Sequence, residues 1–444
     1  MARTLFVNAR LVNEGEDKPA DVLVCDGRIE RIGANLSDAN AETVDCEGRI
    51  LMPGVIDDQV HFREPGLTHK AELATESLAA AAGGTTSFMD MPNVKPASLT
   101  QELLAQRYAL AAKKSAVNYS FYMGASNDNL GEVLKTNPAD VCGVKAFMGS
   151  STGNMLVDDR DTLDQLFEHS PLLIATHCED EKTVRSSMAA LREAKGDAAT
   201  AADHPIARPR QGCIISSSLA MELARQHGTR LHILHITTAE EAGHFEAGPI
   251  GAKRITSEAC VHHLTFSDED YAQLGNKLKC NPAVKTAADR DAIWEAVLAD
   301  RIDVIATDHA PHTVAEKAKH YWDAPGGVPL VQHSLLMMHE AVEHGRMSWT
   351  KLVEKMCHAV ADCFQISERG YIREGYAADV VLFDSETPTV VDETTLYSKC
   401  GWSPFAGHTF PGSVWRTYAN GVCVYRDGMA SRVEGAAKRL LFSR

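Results

Sequence analysis

The stretch ELATESLAAAAGGTTSFMDMPN, residues 72–93, decides how the chain folds. Its first part, ELATESLAAAAGG (72–84), is alanine-rich and stops at two glycines, which predicts a helix and its C-terminal end. The second part, TTSFMDMPN (85–93), is β-branched and apolar, then turns polar, which predicts a strand. The same unit recurs downstream. A helix over LTQELLAQRYALAAKKSA (99–116) leads into a strand over VNYSFYMGAS (117–126). Further strands follow at VCGVKAFMG (141–149), PLLIATHCED (171–180), RLHILHITT (230–238), RITSEACVHH (254–263) and RIDVIATDHAPH (301–312). Helical stretches such as SSLAMELARQHG (217–228) and RDAIWEAVLADR (290–301) lie between them. Apolar strands alternating with helices imply a parallel sheet buried on both faces. In a chain of 444 residues the leading expectation is an α/β (β/α)8 barrel, with an open doubly wound sheet second. No GxGxxG follows the first strand, which weakens the second.

Outside this region the pattern changes. TLFVNARLV (4–12), ADVLVCDGRIERIG (20–33) and ETVDCEGRILMPG (42–54) read as short strands with Gly and Asp–Gly turns. ADVVLFD (378–384) and GSVWRTYANGVCVYRDGMA (412–430) form a matching set. The expected organisation is a small β-sandwich domain made from residues 1–52 and 366–444, around a barrel over 53–365.

Net charge is −16 and Lys and Arg form no run, which argues against a nucleic-acid or anionic-membrane partner. No apolar segment reaches bilayer length, and the first residues, MARTLFVNARLVNEGEDKPAD, have no apolar core of a secretory signal. The 11 cysteines are scattered singly, which reads as reduced thiols in a cytoplasmic protein.

The strands share one feature. Gln59 and His61, Asp90 and Asn93, Lys145, His177, His235, and Asp308 with His312 all stand at strand ends. In a parallel barrel those ends lie on one face, where active sites are built. His61, His177, His235 and Asp308 are N and O donors suited to Zn²⁺. Lys145, inside an apolar strand, has two readings: an ion pair with an acid such as Asp308, or a neutral amine that takes up CO2 and bridges two cations as a carbamate. His262 and His263 are adjacent, so on a strand only one could face the site; both read as structural. His320, His333, His339 and His358 read as solvated or surface-packed helix residues. In DDQVHFREPG (57–66), Gln59, His61 and Arg63 share a strand face, and Gln59 stands where a second imidazole would complete a metal pair.

QVHFREPG (59–66), MPN (91–93), THCED (176–180), HILHI (232–236), KCNP (279–282), TDHAPH (307–312) and SPFAG (403–407) together resemble the dihydroorotases. The resemblance is to the longer, hydantoinase-like type in the amidohydrolase superfamily, and it runs nearly the whole chain. It implies reversible hydrolysis of a cyclic amide, with one or two Zn²⁺ held by His61, His177, His235, Asp308 and a carboxylated Lys145. Asp308 would be the catalytic proton carrier. Arg63, Asn93, Asn281 and His312, with backbone at Gly326 and Gly327, would bind a small substrate bearing a free carboxylate. The implied partners are a second copy of the chain and an aspartate transcarbamoylase. Two positions depart from the family pattern: Gln59 replaces a histidine, leaving a weak amide ligand or a vacancy, and Lys285 stands where an arginine is usual. Hydantoinase, dihydropyrimidinase and allantoinase activities, or a non-catalytic assembly role, are the competing readings.

Overall fold

The structure, a computed structural model, describes residues 2–149 and 154–444. Eight parallel strands among these residues make the barrel. They are β1 (Val55–Val60), β2 (Thr85–Asp90), β3 (Asn118–Phe121, continued by Met123–Gly124), β4 (Val144–Phe147), β5 (Ile174–His177), β6 (Leu231–Ile233), β7 (Ile255–Cys260) and β8 (Val304–Ala306). The ring closes where Val60 bridges His309 and the His61 N–H donates to the His309 carbonyl at 2.7 Å. Helices wrap the outside, as the alternation predicts.

Local chemistry sets the joints. Helix Leu73–Ala82 ends at Gly83 and Gly84. Gly84 holds φ +81°, and a Cβ there would press on Leu335 and Val381, so glycine lets the chain reverse into β2. Helix Gln101–Lys114 starts where the Thr100 side chain accepts from the Leu103 N–H, and Ala287–Leu298 starts with a reciprocal Thr286–Asp289 capping box.

The β-rich chain ends form a terminal β-sandwich domain built on a nine-stranded sheet. Ile50–Pro53 is central to it, parallel to Arg3–Asn13 and antiparallel to Val380–Asp384, with Leu51 opposite Leu382. It then runs through Gly54 directly into β1. Asp379 knits this domain to the barrel. Its carboxylate pairs with Arg369 and accepts from the Asn420 N–H at 2.6 Å and from Asn118 Nδ2 at 3.1 Å. Asn420 in turn donates to Asn118 Oδ1 at 2.7 Å. All four residues are buried. Removing the carboxylate leaves the guanidinium buried and unpaired, so Asp379→Ala should cost about 3–5 kcal/mol, read as a depressed thermal midpoint with Asp379→Asn falling between.

Two expectations about histidines need correction. β7 stops at Cys260, and Val261–Thr265 is a helical turn, so His262 and His263 do not alternate across a strand; their rings lie 4.0 Å apart, both buried. His333, His339 and His358 are buried packing residues, not surface ones. His339 lies against Trp349 and Phe383, and His358 stacks on Tyr371 with ring centroids 4.2 Å apart. The 11 cysteines are all free and most are buried. Among the described residues no helix is long and apolar enough to cross a membrane.

Candidate active site

At the C-terminal ends of the barrel strands lies a cavity of about 860 Å³. Gln59, His61, Arg63, Asn93, Lys145, His177, His235, Asn281, Asp308, His312, Gly326 and Gly327 all line it. Every site position singled out by the strand ends or by the resemblance, Asp90 excepted, is therefore in one place. Asp90 points to Arg107, with which it forms a buried ion pair.

The donors come in two pairs. His61 Nε2 lies 3.0 Å from Asp308 Oδ1, and His177 Nδ1 lies 2.9 Å from His235 Nε2. Each pair is held from behind. His61 Nδ1 meets Asn93 Oδ1 at 2.8 Å, which puts the His61 proton there and leaves Nε2 as a lone pair toward the site. His177 Nε2 donates to Glu179 at 2.8 Å, leaving Nδ1 free toward His235. Burial alone would raise the Glu179 carboxyl, but the Arg208 guanidinium and His177 hold it well below the usual carboxylate range. Burial, reinforced by His177 and Lys145, keeps His235 well below the ordinary imidazole value, so it is a neutral ligand.

Lys145 is 1% exposed, and among the described residues its Nζ has no hydrogen-bond partner; it lies over the Phe147 ring, 4.6 Å from Nζ to centroid. Of the two readings of Lys145, the ion pair with Asp308 is not formed. Burial lowers the ammonium to about 7, against the pull of the Asp308 and Glu258 carboxylates. An unpartnered buried amine beside imidazoles with inward lone pairs suits a lysine modified to carry ligand oxygens, and the donor set fits divalent zinc. A testable consequence follows for the metal-free protein. Between about 7 and the ordinary lysine value of 10.5, the unfolded chain holds a proton that the buried amine lacks, so stability should rise with pH across that window. Thermal melting in chelator should show this slope, and Lys145→Met should flatten it.

Gln59 donates from Nε2 to Asp308 Oδ1 at 3.2 Å, while its carbonyl oxygen faces Cys260 Sγ at 3.7 Å. Its amide thus offers the carboxylate a hydrogen bond. Lys285, the other departure, is buried and donates to the Ala283 carbonyl at 2.9 Å.

One wall is cationic. Arg63 is 6% exposed, its Nε donates to the Pro311 carbonyl at 3.2 Å, and Nη2 lies 3.2 Å from His312 Nε2. Burial lowers its guanidinium only to about 10, so it stays charged at neutral pH. Lys70 Nζ reaches His312 Nδ1 at 3.1 Å, and Lys95 lines the same wall. Burial, then Arg63, Lys70 and Lys317, hold His312 far below its ordinary value, so it is neutral. Lys317 gathers the carbonyls of Lys279, Pro325 and Gly327 at 2.9–3.0 Å and so fixes the glycine segment of the wall.

Sequence reading missed Glu179, Arg208, Lys70 and Lys317. THCED (176–180) carries Glu179 two residues past a predicted ligand, a signal that was available; Arg208, just past a short helix, and Lys317, at the end of another, carry none. It also missed that Arg63, His235 and Asp308 all hold positive φ, at 65°, 40° and 48°. Such strain in non-glycine residues clusters at functional sites.

A parallel barrel whose strand ends carry paired imidazoles, an aspartate and a buried lysine has the donor set that metal-assisted hydrolysis uses. The amidohydrolase family model matches residues 50–424, and the chain belongs to that family. A dihydroorotase of Halobacterium salinarum is 33% identical over 420 residues, 94% of this chain and 95% of its own. An allantoinase of Bacillus velezensis is 31% identical over 428 residues, 95% of this chain and 93% of its own. The L-hydantoinase (dihydropyrimidinase) of Arthrobacter aurescens superposes with a TM-score of 0.93 at 27% identity, covering 99% of this chain and 100% of its own. The chain is a cyclic amide hydrolase.

Proposed function

We propose that this enzyme is a dihydroorotase, interconverting L-dihydroorotate and N-carbamoyl-L-aspartate in the cytoplasm. The observation that carries this reading is the buried, charged Arg63 at the cavity wall, backed by Lys70 and Lys95. A cationic wall inside a protein of net charge −16 is a receptor for an anionic substrate. The planar guanidinium suits a carboxylate, which it meets with two parallel hydrogen bonds.

His61, Asp308, His177 and His235, with Lys145 as its carbamate, would hold zinc. Bound there, the cations supply Lewis acidity and lower the pKa of water. Asp308 takes the proton of the attacking water and returns it to the departing ring nitrogen, acting as base and then acid. Gln59 orients that carboxylate through its amide donor. Arg63, with the Asn93 amide and neutral His312, grips the substrate carboxylate and keeps the ring amide facing Asp308. Asn281, held by His204 at 3.1 Å, and the Gly326–Gly327 backbone close the opposite edge.

The test is a panel of cyclic amides. Turnover of L-dihydroorotate should exceed that of hydantoin, dihydrouracil and allantoin by orders of magnitude. Preferred turnover of a ring without a carboxylate would overturn the reading in favour of the hydantoinase or allantoinase activities.

A further inference from the structure

Beneath the catalytic cavity, inside the barrel, three ligand-bearing side chains meet that the proposed reaction does not use. Asp58 comes from β1, His232 from β6 and Glu258 from β7. β1 and β6 are not neighbours in the barrel, so these side chains meet only across its interior. All three are 0% exposed. Their donor atoms lie within 4.8 Å of one another: Asp58 Oδ2 is 3.3 Å and Glu258 Oε2 is 4.0 Å from His232 Nε2.

These atoms are unsatisfied. Both Asp58 carboxylate oxygens, His232 Nε2 and Glu258 Oε2 have no hydrogen-bond partner among the described residues. Phe364 lies against the His232 ring with centroids 5.5 Å apart, and the nearby Tyr122 hydroxyl is committed to the Asp58 backbone carbonyl at 3.0 Å. Buried carboxylate oxygens without hydrogen-bond donors are costly.

The tautomer of His232 sharpens the point. The Thr256 hydroxyl donates to the Leu231 carbonyl at 3.2 Å, so it accepts from His232 Nδ1 at 2.8 Å. With Nδ1 engaged by Thr256, Nε2 is the nitrogen aimed at the two carboxylates, and against the cost of burial Cys363 and Asp58 raise His232 well above the ordinary imidazole value, so this point favours positive charge. Two carboxylates and an imidazole nitrogen converging on one point call for positive charge between them, which a metal ion supplies to all three donors and a proton on His232 supplies to Asp58 alone. Fixing the outer nitrogen of a histidine in this way is also how proteins prepare it for a metal.

We propose that Asp58, His232 and Glu258 form a divalent-cation site in the barrel core, separate from the catalytic donors. One imidazole and two carboxylates are a borderline-hard set suited to Zn²⁺. At bond lengths of about 2.0–2.2 Å, tetrahedral zinc separates neighbouring ligand atoms by roughly 3.3–3.6 Å, which the Asp58–His232 pair already meets and toward which Glu258 has to close. A dication neutralises the two carboxylates. The site also reaches the cavity: the other Glu258 oxygen accepts from the His235 N–H at 3.0 Å and from Cys260 Sγ at 3.1 Å. The ion would thereby brace the backbone of His235, one of the residues held at positive φ.

The test is zinc-edge anomalous diffraction from the zinc-loaded wild-type protein, with zinc content measured per chain. The expected map has a peak between Asp58, His232 and Glu258 in addition to any in the cavity. That peak should vanish, and content fall by one equivalent, in Asp58→Asn and in His232→Gln. A His177→Ala/His235→Ala variant, stripped of catalytic ligands, should keep the core ion. Because this site is fully enclosed, it should also outlast the cavity metal under chelator. A wild-type map with only water or an imidazolium–carboxylate pair at the triad would overturn the proposal, whether or not the variants fold. So would unchanged zinc content in Asp58→Asn.

Discussion

Replacing Arg63 by methionine should lower kcat/KM for L-dihydroorotate by roughly 10³-fold, because two charge-assisted hydrogen bonds to a carboxylate are lost at about 1.5–3 kcal/mol each. A neutral cyclic amide makes no such contact, so its turnover by the same variant should change less than about tenfold. Arg63→Lys separates charge from shape. It keeps the positive wall but cannot make the two-pronged contact, and it should recover only part of the loss. The guanidinium is already anchored through Nε to the Pro311 carbonyl, which leaves the opposite edge to face the cavity. Equal losses on charged and neutral substrates would mean that Arg63 holds the loop around Pro311 rather than the substrate.

Asp308→Asn should lower kcat by roughly 10³-fold while zinc content stays close to that of the wild type. The amide keeps the size of the carboxylate and one oxygen toward His61, yet it cannot take up a proton near neutral pH. The hydrogen bond from Gln59 Nε2 to Asp308 Oδ1 makes the result specific, since an asparagine oxygen can still accept it. KM should move little if the residue acts only in proton transfer. A variant that turns over normally would remove Asp308 from the role of proton carrier, whereas one that loses its metal would show that its main task is to hold zinc.

The barrel and the positions lining its cavity were legible because both follow from periodic features. Apolar strands between helices imply a parallel sheet, and polar residues at strand ends then fall on one face. What escaped reading has no period. The positive φ of Arg63, His235 and Asp308 arises from the packed surroundings of those residues, and no residue type announces it. His262 and His263 looked like the end of a strand, but β7 gives way to a helical turn after Cys260. His333, His339 and His358 sit on helical stretches that sequence places at the surface, whereas the terminal β domain and its neighbouring loops cover them. Asp58 was the least visible of all. It alternates with Gln59 and His61 on the strand and so points away from their face, and its partners His232 and Glu258 lie on strands that sequence alone cannot bring across a barrel interior.

The central place of Ile50–Pro53 in the terminal sheet bears on how the enzyme is made. Arg49 and Asp384, which flank the pairing at 2.9 Å, are 335 residues apart in the chain. During synthesis the first strands emerge early and stay without their antiparallel neighbour until almost the whole barrel has been made. An apolar strand with an open edge is a template for wrong pairing, so the nascent chain should be most prone to aggregation, and most dependent on chaperones, in that interval. The same segment leads through Gly54 into Gln59, His61 and Arg63. The last strands to appear therefore lock the first of the catalytic residues, and a chain interrupted before Val380 would carry the residues of the site without a fixed frame for them.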